Sequence, residues 1–259
     1  MLILLLLVLL TFGPPPVPES QEPVTVSAAL SLTDVLEDIA EAYAKSGAGT
    51  VRLNLAASNV LARQIRNGAP VDVFISADEA QMDMVERAGS LLAGSRVDLL
   101  GNRLAVAAAP GRLDVVRHGF HRADPAIRRL AIGDPAAVPA GVYARQFLEA
   151  RGLWAAYQSR LVPTASVRAA LTAVDQGSVD AAIVYATDLR VARRAREVFV
   201  VPADEGPRIV YPAAILKSAR QTAEAASFFA FLQGPEAAAI FARHGFSTPS
   251  SQLPQHPRP

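Results

Sequence analysis

Small hydroxyl residues stand at points of this chain where helical patterns begin. Ser31 precedes the pattern of residues 32–40 (LTDVLEDIA), and Asp34 completes a Ser-x-x-acid capping signal. Ser58 and Asn59 follow the apolar stretch LNLAA and open the next helical pattern. Ordinary capping explains any one of these residues, since Ser and Asn are favoured caps. A helix N-terminus also presents free N–H groups and a partial positive charge, so the same residues suit an anion.

Two more helix starts have the same small-residue character. The sequence Pro139-Ala140-Gly141 opens the helical pattern VYARQFLEA, and Ser166 with Val167 opens RAALTAV. In open α/β sheets, ligands bind outside the carboxyl ends of the strands, where the following helices begin. Four such starts, several of them directly after a strand-like stretch, therefore predict a shared anion site.

Residues suited to catalysis or metal binding are few and poorly placed. His118 and His121 are three positions apart, but arginines flank them and would repel a cation. Tyr185 and Asp188 could form an acid–base pair, although no base stands beside the tyrosine. The sequence lacks the Gly-x-Ser-x-Gly, His-Glu-x-x-His, P-loop and Gly-x-Gly-x-x-Gly motifs. We therefore predict no catalytic residues, no direct metal ligands and no cofactor, and favour a protein that is not an enzyme.

Composition limits the classes of function further. The chain has 259 residues, of which 51% are apolar, so it can bury the cores of two lobes. Its formal net charge of +1 argues against a broad nucleic-acid surface, which needs a basic excess. It has no cysteine, which excludes disulfides, thiolate metal sites and a lipid-modified N-terminal cysteine.

Strand-like and helix-like segments alternate along the chain, which predicts βα units on parallel sheets covered by helices. The strands of residues 71–77 (VDVFISA) and 179–186 (VDAAIVYA) are nearly continuous apolar runs, as buried parallel strands are. Segments around residues 101–103 and 205–208 look like connections between two lobes. We therefore predict a signal-like segment (1–22), a discontinuous lobe (23–102 with 208–249), an inserted lobe (103–207) and a disordered tail (250–259).

The N-terminus favours export. Residues 1–10 (MLILLLLVLL) form an apolar run that is shorter than the roughly 20 residues needed to span a bilayer. Its length suits the core of a secretory signal, and a proline-rich stretch follows it. The signal is atypical because no Lys or Arg precedes the run, and a short anchor is the alternative. We predict a periplasmic or otherwise exported protein.

Longer stretches of the chain resemble one known family. The matching stretches are AALSLTDVLEDIA, AASNVLARQI, GAPVDVFISADEAQMD, LLGNRLAV, IGDPAAVPAGVYARQFLEARGLW, SVRAALTAVDQG, IVYATD, VYPAAI and LQGPEAAAIFARHGF. Together they cover nearly all of the chain from Val24 to Ser247. They resemble the periplasmic molybdate-binding proteins of ATP-binding-cassette (ABC) uptake systems. The resemblance implies an α/β fold of the two-lobed periplasmic-binding-protein type (Venus-flytrap, type II), with a ligand cleft between lobes joined by two hinge crossings.

The resemblance also implies a ligand and the residues that bind it. The ligand would be molybdate or tungstate, which an exported, monomeric protein would deliver to the membrane permease of an ABC transporter. The contacts would be the hydroxyls of Ser31, Ser58 and Tyr185 and the backbone N–H groups of Ala140 and Val167. Family members often carry a serine where this chain has Asn59, whose side-chain amide could still donate as a supporting contact.

The implied contacts include no charged side chain, which is physically workable. A tetrahedral oxyanion without protons is only an acceptor, so neutral donors suffice when there are enough of them. Hydrogen phosphate carries a proton that needs an acceptor, whereas sulfate must be rejected by size. The alternatives are another anion, such as sulfate or an organic acid bound by Arg63 or Arg145, and an enzyme on the same scaffold.

Overall fold

The computed structural model describes residues 22–220 and 222–248. The predicted tail of residues 250–259, and all but the last residue of the signal-like segment 1–22, lie outside these ranges. Within them, two five-stranded sheets covered by helices form two lobes, as the α/β prediction required. No single helix there is long and apolar enough to cross a membrane, although the last two helices, bent by 57° at their junction, would together have the length and composition.

The strands in chain order are β1 (Val24–Ala29), β2 (Val51–Ala56), β3 (Val73–Ile75), β4 (Val97–Asn102), β5 (Leu104–Ala108), β6 (Leu130–Gly133), β7 (Leu161–Thr164), β8 (Ala181–Tyr185), β9 (Arg196–Val200) and β10 (Ile209–Ile215). The α-helices are α1 (Thr33–Lys45), α2 (Ser58–Arg66), α3 (Glu79–Arg87), α4 (Leu113–Gly119), α5 (Pro139–Ala150), α6 (Trp154–Tyr157), α7 (Val167–Asp175), α8 (Thr222–Leu232) and α9 (Pro235–Arg243). Short 3₁₀ helices span Leu30–Leu32, Phe120–Arg122, Gln158–Arg160 and Asp188–Val191.

Both sheets are mixed, so the prediction of parallel sheets was wrong in part. The first sheet has the order β2-β1-β3-β10-β4, in which β1 is parallel to β2 and β3 but β10 is antiparallel to β3 and β4. The second has the order β7-β6-β8-β5-β9, in which β6 is parallel to β7 and β8 but β5 is antiparallel to β8 and β9. Strands β5 and β10 enter their sheets without a helical crossover, and a crossover is what parallel pairing requires.

The chain passes between the two sheets twice. Arg103 alone separates β4 of the first sheet from β5 of the second. Residues 201–208 return the chain from β9 to β10. The fold class with two hinge crossings is therefore confirmed. Strand β4 was not predicted, because its glycine and its polar residues made the end of the strand look like a connection.

The central strands carry the cores that hold the helix starts in place. All three residues of β3 and all five of β8 are buried, as their continuous apolar sequences predicted. Helix α1 buries Val35, Leu36, Ile39 and Tyr43, an i, i+3, i+4 stripe typical of an amphipathic helix. The Tyr43 ring meets Phe228 and Phe231 of α8 edge-on, with ring centroids 5.1 and 5.3 Å apart. These contacts pack the C-terminal part of α1 against α8.

Candidate functional site

A small cavity lies between the two lobes, where several helices begin. Its lining consists of Ala29, Leu30, Ser31, Ala57, Ser58, Ala77, Val138, Pro139, Ala140, Ser166, Val167 and Tyr185. These residues come from the ends of strands in both sheets and from the helix starts that follow them. All five residues singled out in the sequence as anion contacts line this cavity, and none of the lining residues is charged.

The size of the cavity suits one small tetrahedral anion. The centre of a water-sized atom can move through about 20 Å³ there, the volume of a sphere about 1.7 Å in radius. The four oxygens of a tetrahedral oxyanion are water-sized atoms that lie one bond length from a central atom. Such an ion is of the size of this space.

Ser58 contributes a hydroxyl that is already oriented. Helix α2 begins at Ser58 itself and has Ala57 as its N-cap residue, so the Ser58 side chain does not cap the helix. The buried Ser58 Oγ instead accepts a hydrogen bond from the backbone N–H of Ala77, at 2.9 Å. Because this bond uses the oxygen as an acceptor, the hydroxyl proton of Ser58 is free to point into the cavity.

Ser31 does not cap a helix either, so the Ser31–Asp34 capping prediction was wrong. The 3₁₀ turn Leu30–Leu32 separates β1 from α1, and Leu32 becomes the N-cap residue of α1 without a side-chain bond. Ser31 Oγ lies instead 3.1 Å from the Tyr211 hydroxyl of β10, and the side chain is buried at the cavity.

The second lobe contributes the N-termini of α5 and α7. Helix α5 begins at Pro139, which has no N–H, so the N–H of Ala140 is the first that the helix presents. In α7 the Ser166 hydroxyl accepts a bond from Ala169 N–H at 3.2 Å, which confirms the capping prediction for this residue. The cap leaves the N–H of Val167 without an intrahelical partner. Two first-turn N–H groups of the second lobe therefore belong to residues that line the cavity.

Close packing of two glycines fixes the start of α5. A Cβ atom on Gly141 would stand 2.1 Å from the carbonyl oxygen of Gly133, at the end of β6. A side chain at this position would push the helix away from the strand. The Gly-Asp-Pro-x-x-Val-Pro-Ala-Gly stretch of the sequence therefore serves to hold Ala140 close to the strand end.

Tyr185 ends β8 with a buried hydroxyl beside the cavity. The side chain is 1% exposed, and its hydroxyl has no hydrogen-bond partner among the described residues. Burial raises the pKa of Tyr185 well above its usual value, so the phenol stays protonated and can donate. A buried hydroxyl without a partner costs about 1–3 kcal/mol. An anion in the cavity would remove this penalty by accepting the bond.

The Asp188 carboxylate contacts the backbone of Tyr185 and the side chain of Arg168, and not the Tyr185 phenol. Its fully buried carboxylate accepts a bond from the Tyr185 backbone N–H at 3.3 Å and lies 2.7 Å from Arg168 Nε. Burial raises the pKa of Asp188 to about 7, an effect that Arg168 partly offsets. The acid–base pair weighed in the sequence is therefore not assembled as a phenol–carboxylate contact.

The other sequence candidates lie away from the cavity. Asn59 is half-buried, does not line the cavity, and has a side-chain oxygen without a hydrogen-bond partner among the described residues. Arg63 is exposed on α2, and Arg145 is exposed on α5, where it pairs with Glu149 at 2.7 Å.

The histidine considered as a metal ligand has another partner: His118 bonds through Nδ1 to the Asp114 carbonyl oxygen at 2.9 Å. Within the ranges 22–220 and 222–248, no group of three potential metal ligands comes together.

Sequence reasoning missed three residues that support the cavity. Ala77 donates to Ser58, Tyr211 contacts Ser31, and Arg168 joins Asp188 to Asp34 of the other lobe. All three lie inside stretches quoted for the family resemblance, Ala77 in VDVFISAD, Tyr211 in VYPAAI and Arg168 in SVRAALTAVDQG. Arg168 directly follows Val167 at the start of α7. Their location in these stretches could have marked them as candidates. Their contacts could not be predicted, because the contacts depend on how distant strands pair.

Comparison with known proteins gives consistent matches. The family model for bacterial extracellular solute-binding proteins matches residues 24–247. The molybdate-binding protein ModA of Escherichia coli K12 is 37% identical over 228 residues, which is 86% of this chain and 88% of that protein. The ModA of Haemophilus influenzae is 34% identical, over 86% of this chain and 89% of that protein. A periplasmic molybdate-binding protein from Azotobacter vinelandii has a similar structure, with a TM-score of 0.78, 30% identity, and coverage of 90% of this chain and 100% of that chain.

Proposed function

The chain belongs to the family of bacterial extracellular solute-binding proteins, and from this we propose that it is the substrate-binding component of a molybdate or tungstate ABC uptake system. The tetrahedral oxyanion would bind as transported ligand in the cavity between the lobes, and the protein needs no cofactor for this task. Its role would be binding and delivery, without catalysis. The similar proteins from three bacteria are named as molybdate-binding proteins, which supports the choice of ligand.

The observation that carries the proposal is the convergence of neutral donors from both lobes on a cavity of ionic size. The donors are the hydroxyls of Ser31, Ser58 and Tyr185 and the N–H groups of Ala140 and Val167. Hydrogen bonds to a charged group contribute about 1.5–3 kcal/mol each, so five of them give about 7–15 kcal/mol before the costs of association. A micromolar dissociation constant requires about 8 kcal/mol. The upper part of this range exceeds that requirement, so neutral donors can supply the affinity without a charged side chain.

Size would decide between molybdate and sulfate. Both ions are tetrahedral, doubly charged and free of protons, so the pattern of donors treats them alike. The oxygens of molybdate and tungstate lie further from the central atom than those of sulfate. Backbone N–H groups at the starts of α5 and α7 cannot follow a smaller ion inward, because each helix is packed against its own sheet. The hydrogen bonds from these N–H groups to the oxygens of sulfate would therefore be too long.

Binding would also hold the two lobes together. We place Ser31 and Ser58 in a lobe of residues 23–102 and 208–249, and Ala140, Val167 and Tyr185 in a lobe of residues 103–207. An anion that contacts both sets favours the closed arrangement, because it binds that arrangement more tightly than an open one. A membrane permease in the same uptake system would recognise the closed form. The protein would act outside the cytoplasm as a monomer, with no nucleic-acid partner.

Isothermal titration of the purified chain with molybdate, tungstate, sulfate and phosphate tests the proposal. We expect one-to-one binding of molybdate and tungstate at micromolar or tighter dissociation constants, with sulfate and phosphate much weaker. Organic acids such as citrate should give no heat. Preferential binding of sulfate would assign the cavity to another anion, and binding of none of the four would overturn the proposal.

Two substitutions test the proposed contacts directly. Ser31→Ala and Tyr185→Phe each remove one donor and should weaken molybdate binding by about ten-fold or more. Matched controls are Ser46→Ala and Tyr43→Phe, because Ser46 is exposed and Tyr43 bonds to Ser227 far from the cavity. Unchanged affinity in both site variants would show that the cavity is not the binding site.

A further inference from the structure

Exposed arginines gather at one end of the second sheet. One line of paired residues crosses all five strands there: Leu161, Leu130, Ala181, Ala108 and Arg196. Two arginines directly precede the paired residue of β6, and two more lie just before that of β9. With neighbouring strands about 4.8 Å apart, the distance from β6 to β9 is about 14 Å. We call these five exposed residues the arginine row: Arg128, Arg129, Arg193, Arg194 and Arg196.

The arginine row lies away from the cavity. Strand β8 has Ala181 at the end near the row and Tyr185 at the end that lines the cavity. Four residues of extended strand separate these two ends, which is about 13 Å. A partner on the row would therefore not touch the proposed contacts of the oxyanion.

Two carboxylates hold the backbone of the row and leave its side chains available. Asp180 Oδ2 accepts from the backbone N–H groups of residues 128 and 129, at 2.7 and 2.9 Å. Asp175 Oδ1 accepts from those of residues 193 and 194, at 3.0 and 2.7 Å. None of the five guanidinium groups forms an ion pair with another described residue. The positive charges are therefore fixed in place at the backbone but not neutralised by a partner.

The charge of the chain is distributed unevenly, with the excess of positive charge on the side of the row. Residues 103–207 contain 14 arginines and ten acidic residues, a formal charge of +4. Residues 23–102 with 208–249 contain ten basic and 12 acidic residues, a formal charge of −2. The acids beside the row are Asp175, Asp180 and Glu197, and Arg112 pairs with Asp180 at 2.9 Å. Six arginines against three acids leave a formal charge of +3 at this end of the sheet.

Free guanidinium groups without an apolar centre suit a surface of phosphate groups. Guanidinium binds phosphate oxygens through paired N–H donors. A protein partner would instead be expected to meet an apolar core, and the exposed large apolar residues of the described ranges, Leu92 and Val191, are not part of the row. Val191 lines a groove beside α7. Anionic phospholipids present many phosphates side by side and attract each arginine near the membrane surface.

We propose that the arginine row binds the anionic phospholipid surface of a membrane and holds the protein there with its cavity unobstructed. The proposal goes beyond the function proposed above and does not depend on the identity of the ligand. Salt screens the attraction between arginines and headgroups, so the association is reversible and strongest at low ionic strength.

Co-sedimentation of the full chain with lipid vesicles tests this proposal. Vesicles of phosphatidylcholine report binding through the apolar residues 1–10, and vesicles of phosphatidylcholine with phosphatidylglycerol add the negative charge. At low ionic strength we expect partitioning to be at least about ten-fold stronger with the anionic vesicles. At about 0.5 M salt most of this preference should disappear.

The row variant replaces four of the five arginines and should lose about ten-fold or more of the preference for anionic vesicles. Glutamine keeps the backbone N–H groups that bond to Asp175 and Asp180, so the backbone of the row stays in place. The substitutions are Arg128→Gln, Arg129→Gln, Arg193→Gln and Arg194→Gln.

A matched variant controls for net charge. It replaces four exposed arginines that form no ion pair with another described residue and lie among residues 23–102 and 208–249: Arg52→Gln, Arg63→Gln, Arg66→Gln and Arg220→Gln. Its preference for anionic vesicles should stay within about two-fold of wild type.

Three results would overturn the proposal. The first is a wild-type chain without a preference for anionic vesicles, and the second is a row variant that keeps the wild-type preference. The third is an equal loss in the row variant and the matched variant, which would assign the binding to net charge alone. If wild type ignores the anionic vesicles but binds polyglutamate through the row, the partner is an acidic protein and the membrane proposal is wrong.

Discussion

Arg168 at the start of α7 and Asp34 in the first turn of α1 form an ion pair between the two lobes, with 2.5 Å between guanidinium nitrogen and carboxylate oxygen. The same guanidinium reaches the fully buried Asp188 at 2.7 Å. Arg168 directly follows Val167, and α1 directly follows the turn that carries Ser31. The ion pair therefore ties together the two helix starts that lie on opposite sides of the cavity.

Removing the Asp34–Arg168 ion pair should weaken ligand binding with little effect on stability. In Asp34→Asn the Arg168–Asp188 pair remains, so no buried charge loses its partner. Because the Asp34 side chain is 39% exposed, the pair is worth about 0.2–1 kcal/mol, and molybdate affinity should fall no more than about five-fold. The measurement is titration calorimetry beside thermal unfolding.

Asp38→Asn is the matched control for Asp34. It lies on the same helix and pairs with His244 of α9 at 2.7 Å, within the first lobe. We expect no change in molybdate affinity for this variant. Equal effects of the two substitutions on affinity would show that the Asp34–Arg168 contact does not stabilise the closed arrangement.

The two cavity serines that begin helices should respond differently to alanine. Ser58→Ala removes a proposed ligand donor and leaves the Ala77 N–H without its acceptor, so molybdate affinity should fall about ten-fold or more. Ser166→Ala removes a cap of α7, which should lower the free energy of unfolding by about 1 kcal/mol. Calorimetric titration and urea unfolding of both variants check this contrast. If Ser166→Ala lowers molybdate affinity more than Ser58→Ala does, the assignment of Ser58 as the donor is wrong.

Asp78 should make stability depend on pH. This residue caps α3 by accepting from Gln81 N–H at 3.0 Å, and burial raises the pKa of its carboxyl from the ordinary 3.8 to about 6. Between about pH 4 and pH 6 the folded state therefore holds a proton that the unfolded state has released, so this group's contribution to stability falls as pH rises. Asparagine can also cap the helix but does not titrate. The stability of Asp78→Asn relative to wild type should rise across this window and level off above it.

Thermal unfolding at a series of pH values measures this difference. Asp114→Asn serves as the control, because it makes the same substitution at an aspartate whose side chain is 83% exposed. We expect the control to follow the wild-type curve. A constant offset between Asp78→Asn and wild type at all pH values would contradict the prediction.

Gly141→Ala should damage both stability and binding. Alanine in a helix normally contributes up to about 1 kcal/mol relative to glycine. Here its Cβ would stand 2.1 Å from the Gly133 carbonyl oxygen, and backbone on both sides prevents an easy adjustment. Overpacking of this kind costs about 1–3 kcal/mol, so we expect a net loss of stability. Moving α5 outward also shifts the Ala140 N–H, and molybdate affinity should fall. A Gly141→Ala variant with the stability and the molybdate affinity of wild type would show that α5 tolerates displacement.

Much of the fold follows from short-range patterns in the sequence. The apolar runs of β3 and β8 and the helical stripe of α1 need no knowledge of distant residues, and the structure has them close to where they were predicted. The pairing direction of β5 and β10 was not predictable in this way, because it depends on how the chain crosses between lobes. Strand β9, rich in exposed and half-buried residues at the edge of its sheet, gave no clear signal.

The sequence by itself determined which residue types stand at the four helix starts, and the family resemblance singled out four residues there, together with Tyr185 at the end of β8, as contacts. The tertiary structure alone decided what each side chain does there. Ser166 caps its helix, whereas Ser58 and Ser31 take partners 19 and 180 positions away, Ala77 and Tyr211. Local pattern predicts capping equally for all three serines, because it contains only neighbours along the chain. The pairing of distant strands places the partners, and those partners decide which hydroxyl protons remain free for a ligand.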